Sequence, residues 1–176
     1  MSAQVEEGPQ RLLLPWSRRH RELDAVPLPR VLLRRADAQP RAEWLGVEEW
    51  RGLSPRGRAQ ADALVAGLAN VRIRRVLASP SLRCRQTVVP LARSLDIDVE
   101  VYPELSHRAP LERLQVLLED DATEGAVFCT HREVLGRLFG ELSRAAGSPV
   151  PATVPPAASW TLVGGSVAPL SLVPLG

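Results

Sequence analysis

Apolar residues in this chain form two kinds of grouping. Short unbroken runs occur at Val31-Leu32-Leu33, within Val71 to Ala78 and at Ala126-Val127-Phe128-Cys129, while Ile97 to Tyr102, where apolar residues alternate with acids, reads as a short strand. Runs of strand length with no polar face predict strands buried on both sides. Elsewhere apolar positions recur every three or four residues: Ala61, Leu64, Val65 and Leu68; Cys84, Val88, Leu91 and Leu95; Leu111, Leu114 and Leu118; Val134, Leu135, Leu138, Phe139 and Leu142. Each set predicts a helix with one buried stripe. Ser54 is placed to cap the first helix and Pro55 suits its first turn. Pro90 falls inside the second pattern and predicts a kinked or shortened helix. Four prolines in 148–158 predict a stiff extended connection. After it, Ser159 to Val163 and Val167 to Val173 read as a hairpin around Gly164-Gly165. Strands alternating with helices predict an α/β domain: a mostly parallel central sheet covered on both faces, an α/β/α sandwich in three layers.

Composition narrows the function classes. A chain of 176 residues fits one domain with a proper core. That domain is expected over residues 29–176, preceded by an N-terminal arm over 1–28. The arm's one dense charge cluster, Arg18-Arg19-His20-Arg21, reads as solvated. A net charge of +2 argues against a general nucleic-acid binder. No apolar run is long enough for a bilayer, and Leu12-Leu13-Leu14 is too short for a secretory signal. The two cysteines, Cys84 and Cys129, form no disulfide framework, so a reducing cytoplasm is expected. Together with His131 they lack the paired spacing of a zinc site, and no metal or cofactor is expected.

The candidate chemistry sits where strands end. Arg34 and Arg35 follow the first apolar run, Arg83 opens a helix after Ser79-Pro80, and His131 follows the Val127 run. In an open α/β sheet, ligands lie at the C-terminal ends of strands, so these residues are candidates for one pocket.

Three stretches carry a family resemblance: Leu32-Leu33-Arg34-Arg35; Leu53-Ser54-Pro55-Arg56-Gly57-Arg58-Ala59-Gln60-Ala61; and Ser79-Pro80-Ser81-Leu82-Arg83-Cys84-Arg85-Gln86-Thr87. With Val127-Phe128-Cys129-Thr130-His131, they resemble the histidine phosphatase superfamily, the phosphoglycerate mutase-like proteins. A terminal strand opening on Ser159-Trp160 resembles the subgroup fused to Nudix hydrolases. Ala157-Ala158 stand where those relatives tend to carry a basic residue.

The resemblance implies a phosphate pocket made by Arg34, Arg83 and His131. It also implies a nucleophilic histidine after Arg34, and here that position holds Arg35. A guanidinium stays protonated and cannot attack phosphorus, although it adds a fixed cation to a phosphate site. The leaving-group acid falls to His107, with Glu104 as the alternative. The leading expectation is therefore a pseudophosphatase that binds a phosphorylated small molecule or a phosphoprotein without efficient hydrolysis. The alternatives are an active phosphohydrolase, on a phosphomonoester or nucleotide-type substrate, using another nucleophile (His131, His107 or water), and a structural partner module of a Nudix-type hydrolase. No nucleic acid and no membrane are expected as partners.

Overall fold

The unbroken apolar runs become strands buried on both faces: Val31, Leu32 and Leu33, Val76, Leu77 and Ala78, and Ala126 to Cys129 are all fully buried. The structure, a computed structural model, describes residues 27–146, 153–163 and 166–170. Its sheet has six strands in the order β3-β2-β4-β1-β5-β6: β1 Arg30–Arg34, β2 Arg75–Ala78, β3 Val99–Val101, β4 Ala126–Thr130, β5 Ser159–Val163 and β6 Ser166–Leu170. The first four are mutually parallel, and β5 runs antiparallel to both β1 and β6. The helices are α1 Pro55–Gly67, α2 Leu82–Ser94, α3 Leu111–Glu119 and α4 Arg132–Ala146.

Strand parity assigns the two cores. Val31, Leu33, Val76, Ala78, Val127 and Cys129 pack against α1 and α2 through Leu64, Leu68, Cys84, Val88 and Leu91. The intervening Leu32, Leu77 and Phe128 face α3 and α4, where Leu114, Leu135, Leu138 and Phe139 meet them. Trp160 closes this side, edge-on to Phe139 with ring centroids 5.0 Å apart. The three-layer α/β/α architecture expected from the sequence is thus the one observed.

Several boundaries differ from expectation. β2 begins at Arg75, because Val71 N closes a turn onto Leu68 O and Arg74 N reaches across to Gly125 O. Gly125 needs its left-handed φ of +72° for the turn into β4. β3 begins only at Val99: Asp96 has φ +54° and Ile97 N still bonds Ala92 O, so the α2 terminus holds this chain until residue 98. Pro90 does not shorten α2, which continues to Ser94. Leu95, expected on its buried stripe, caps the helix and is 38% exposed. The hairpin forms between β5 and β6; its glycines, and the expected strand beyond Leu170, lie outside the described residues. The same holds for the arm through residue 26 and for much of the proline-rich connection. Among the described residues no helix is long and apolar enough to cross a membrane.

Candidate functional site

The chain leaving β1 is held donor by donor. Arg35 N donates to Thr130 O at 2.9 Å. Ala36 N donates to Thr87 Oγ1 at 3.0 Å and Asp37 N to Gln60 Oε1 at 2.9 Å. Ser54 N donates to Asp37 O at 3.2 Å and Ser54 Oγ to Asp37 Oδ2 at 2.6 Å, while the same Oγ caps α1 by accepting from Gly57 N. Gln86 Oε1 accepts from Leu53 N at 2.8 Å. The polar residues of both helix motifs therefore brace backbone. Gly57 belongs with them, since a Cβ there would lie 1.8 Å from Asp37 O.

Arg83 stands in the first turn of α2 and is 4% exposed. Its Nη1 donates to Glu48 O at 2.8 Å, its Nη2 lies 3.3 Å from Glu48 Oε1, and its buried Nε has no hydrogen-bond partner. Glu48 also takes Arg51 on both oxygens, at 2.7 Å from Nη2 and 3.1 Å from Nε, and meets Arg41 at 3.4 Å. The hydrogen bond from Arg51, with the charges of Arg51, Arg83 and Arg41, holds this carboxyl below the usual range despite partial burial. One carboxylate thus gathers three arginines, and a phosphate approaching Arg83 meets competition from Glu48.

His131 is the hinge between β4 and α4: its carbonyl accepts the first helical bond, from Leu135 N at 3.1 Å. Its buried ring places Nε2 3.0 Å from Ser79 Oγ and 3.7 Å from Cys84 Sγ. Burial alone would raise the Cys84 thiol, but hydrogen bonds with Cys129 and His131 bring it well below its ordinary value. Cys84 is fully buried on the inner face of α2, where a core residue was expected.

The His107 ring lies edge-on to His131 with centroids 5.1 Å apart. Burial, then the charges of His131, Arg108 and Arg83, push its pKa below the ordinary 6.5. It is neutral near neutral pH, which works against its role as a proton donor. Glu104 sits partly exposed in the short turn Pro103–Leu105.

Arg35 is close enough for its charge to be felt at Arg83, Arg34 and Glu133. Arg34 turns the other way. It shares the parity of Leu32, donates through Nη1 to Val154 O, and faces the α4 side. There it lines a cavity of about 600 Å³ with Arg132, Glu133, Gly136 and residues 153–155. The structure therefore draws Arg83, His131 and His107 together with Arg35 beside them, and places Arg34 at an adjoining cavity. Among the described residues no group of three or more His, Cys, Asp and Glu side chains could hold a metal ion.

The family description Histidine phosphatase superfamily (branch 1) matches residues 32–112. That span holds both helix motifs and the strand leading into Arg34 and Arg35. Over those residues the chain carries the sequence pattern of the histidine phosphatase superfamily.

A curated relative, an 8-oxo-(d)GTP phosphatase of Mycolicibacterium smegmatis, is 34% identical over 120 residues, or 68% of this chain. The aligned part is 32% of that relative, so this chain spans about a third of its length. Among solved structures, the protein histidine phosphatase SixA complexed with tungstate superposes with TM-score 0.66 at 22% identity, covering 81% of this chain and 94% of that one. A mycobacterial glucosyl-3-phosphoglycerate phosphatase gives 0.59 at 16%, covering 76% and 89%. These two likenesses concern the fold.

Within this superfamily fold, three residues of the site escaped the sequence. Glu48, Arg51 and Glu133 carry no spacing signal; Glu48 and Glu49 are adjacent acids in the loop before α1, and only the fold shows which one meets Arg83. The 8% exposure of Arg51 is likewise a tertiary fact.

Proposed function

We propose that this chain binds phosphorylated ligands at the C-terminal edge of the sheet and turns them over slowly or not at all. The observation that carries this reading is Arg35, directly after the arginine that ends β1, where the superfamily pattern has its nucleophilic histidine. A guanidinium offers no lone pair for attack on phosphorus. It offers charge-assisted hydrogen bonds to the phosphoryl oxygens, as does Arg83 once a ligand displaces Glu48. His131, at the N-terminus of α4, supplies a further polar contact and the favourable end of the helix dipole. Burial and the neighbouring cations lower the pKa of His107, which works against its service as the leaving-group acid at neutral pH. The name of the Mycolicibacterium smegmatis relative puts nucleoside phosphates first among ligands, with phosphoproteins next. A Nudix-type protein remains the proposed macromolecular partner, and the cytoplasm the proposed location.

A second reading has its own observation. Ser79 Oγ lies 3.0 Å from His131 Nε2, a hydroxyl–imidazole pair of the kind that activates a nucleophile. Under that reading the protein is a working hydrolase and Ser79→Ala abolishes turnover.

The test is calorimetric binding of inorganic phosphate and a panel of phosphate esters, run beside a phosphomonoesterase assay. Binding without turnover is expected, and Arg35→His should gain detectable hydrolysis while binding phosphate less tightly. Turnover by the unmodified protein at about 1 s⁻¹ or faster, lost on Arg83→Ala, would overturn the reading.

A further inference from the structure

The loop between β1 and α1 displays aromatic and aliphatic surface beside the arginines. Trp50 is 58% exposed, Val47 60% and Leu45 98%. Trp50 ends the three-residue turn that begins at Glu48, so it lies about 4 Å further along the turn axis. Glu48 is the residue that holds Arg83 through both its carbonyl and its carboxylate. The ring is also covered on one side, with Arg85 Cζ 5.8 Å from its centroid. Hydrophobic burial does not explain an indole placed this way, because more than half of it meets solvent.

We infer that Trp50 is a stacking ledge for the base of a nucleoside phosphate whose phosphate is held at Arg35 and Arg83. This inference rests on the phosphate-binding reading and names its ligand class. A flat, open π-face suits a nucleobase whatever the base's hydrogen-bonding edge. The Arg85 guanidinium on the ring adds cation–π character and keeps its orientation defined. The ledge shares one short turn with Glu48, the residue that Arg83 contacts, so a single ligand engages both ledge and cation only if it carries an aromatic group close to its phosphate. A nucleoside monophosphate has that form, and a sugar phosphate lacks the aromatic half. A protein partner would instead need apolar area continuing beyond Leu45, Val47 and Trp50. The neighbouring exposed side chains are Arg41, Glu43 and Glu49, which suit a small polar ligand better.

The experiment compares guanosine 5′-monophosphate, ribose 5-phosphate and guanosine by calorimetry, using the unmodified protein, Trp50→Ala, Trp50→Phe and Arg83→Ala. The monophosphate should bind about tenfold more tightly than ribose 5-phosphate. Trp50→Ala should erase that difference and leave ribose 5-phosphate within about twofold, while Trp50→Phe keeps part of it. Equal affinity for the two phosphates in the unmodified protein overturns the ledge and leaves the phosphate site standing. So does a base preference that survives Trp50→Ala. Guanosine binding that is lost on Trp50→Ala, with no binding of ribose 5-phosphate to any form, supports the ledge and overturns the phosphate reading. No binding of any of the three compounds overturns both.

Discussion

Glu48 acts in two opposed ways. It holds the buried arginines Arg51 and Arg83, and it occupies a cation that the proposed phosphate site uses. Its carboxyl is held below the ordinary 4.5, so its stabilising contribution is present above that value. The contribution is lost as pH falls through the depressed value, where the carboxylate takes up its proton. Glu48→Gln should therefore lower the melting temperature at pH 7, by about 2–8 °C for a loss of roughly 1–2 kcal/mol in a domain of this size. The deficit should close as the medium is taken well below pH 4.5. The same variant should bind inorganic phosphate more tightly, because Arg83 loses its resident anion. Weaker binding in Glu48→Gln would mean that Glu48 orients Arg83 for the ligand and does not compete with it. None of this was legible in the sequence. Arg34, Arg35, Arg83 and His131 announce themselves by following strands or opening helices. The carboxylate that controls Arg83 comes from a loop 35 residues away in sequence, and no periodicity marks it.

At the level of elements, the motif glycine of α1 is the sharpest case. An exposed helical Gly→Ala normally stabilises by about 1 kcal/mol. At Gly57 the sign reverses, because the new Cβ would meet the carbonyl oxygen of Asp37 and its carbon, at 1.8 and 2.8 Å. Backbone atoms on both sides leave nowhere to move, so Gly57→Ala should destabilise by about 2–3 kcal/mol, the scale of an overpacked site. Denaturant titration reads this directly: a midpoint equal to or above the parent's would show that α1 can slide away from Asp37. Elements buried on both faces, β1 and β4, were legible because nothing polar interrupts them. The starts of β2 and β3 were not. There the preceding turn or helix end claims backbone groups that the apolar pattern assigns to strands, and an apolar side chain does not reveal which carbonyl its own N–H will choose.

For the whole molecule, charge is local. Arginines outnumber acids so slightly, at a net +2, that the long-range field is weak. Arg34, Arg35, Arg51, Arg83 and Arg132 nevertheless share one end of the sheet. Phosphate affinity should therefore fall several-fold between about 0.05 and 0.5 M salt, as the screening length shrinks below the spacing of these groups. The melting temperature should change little over the same range. An affinity independent of salt would place the bound anion deeper than the arginines suggest. The architecture was legible because the two burial periods alternate cleanly along the chain. The separation of Arg34 from Arg83 was not, because adjacent residues at the end of a strand point to opposite faces and the sequence does not show which cavity each face meets.

The bracing of residues 35–37 has a bearing on how such a protein can change over generations. Every backbone donor in that loop is satisfied by a residue elsewhere: Thr130, Thr87 and Gln60. The side chain at position 35 adds one bond to this frame, from Nη1 to Ala36 O at 2.9 Å, and none of the three backbone bonds runs through it. A mutation there can erase or restore a reaction while foldedness is inherited untouched. Chemistry and architecture are separable traits in this molecule, and a lineage can lose the first without any pressure from the second to recover it.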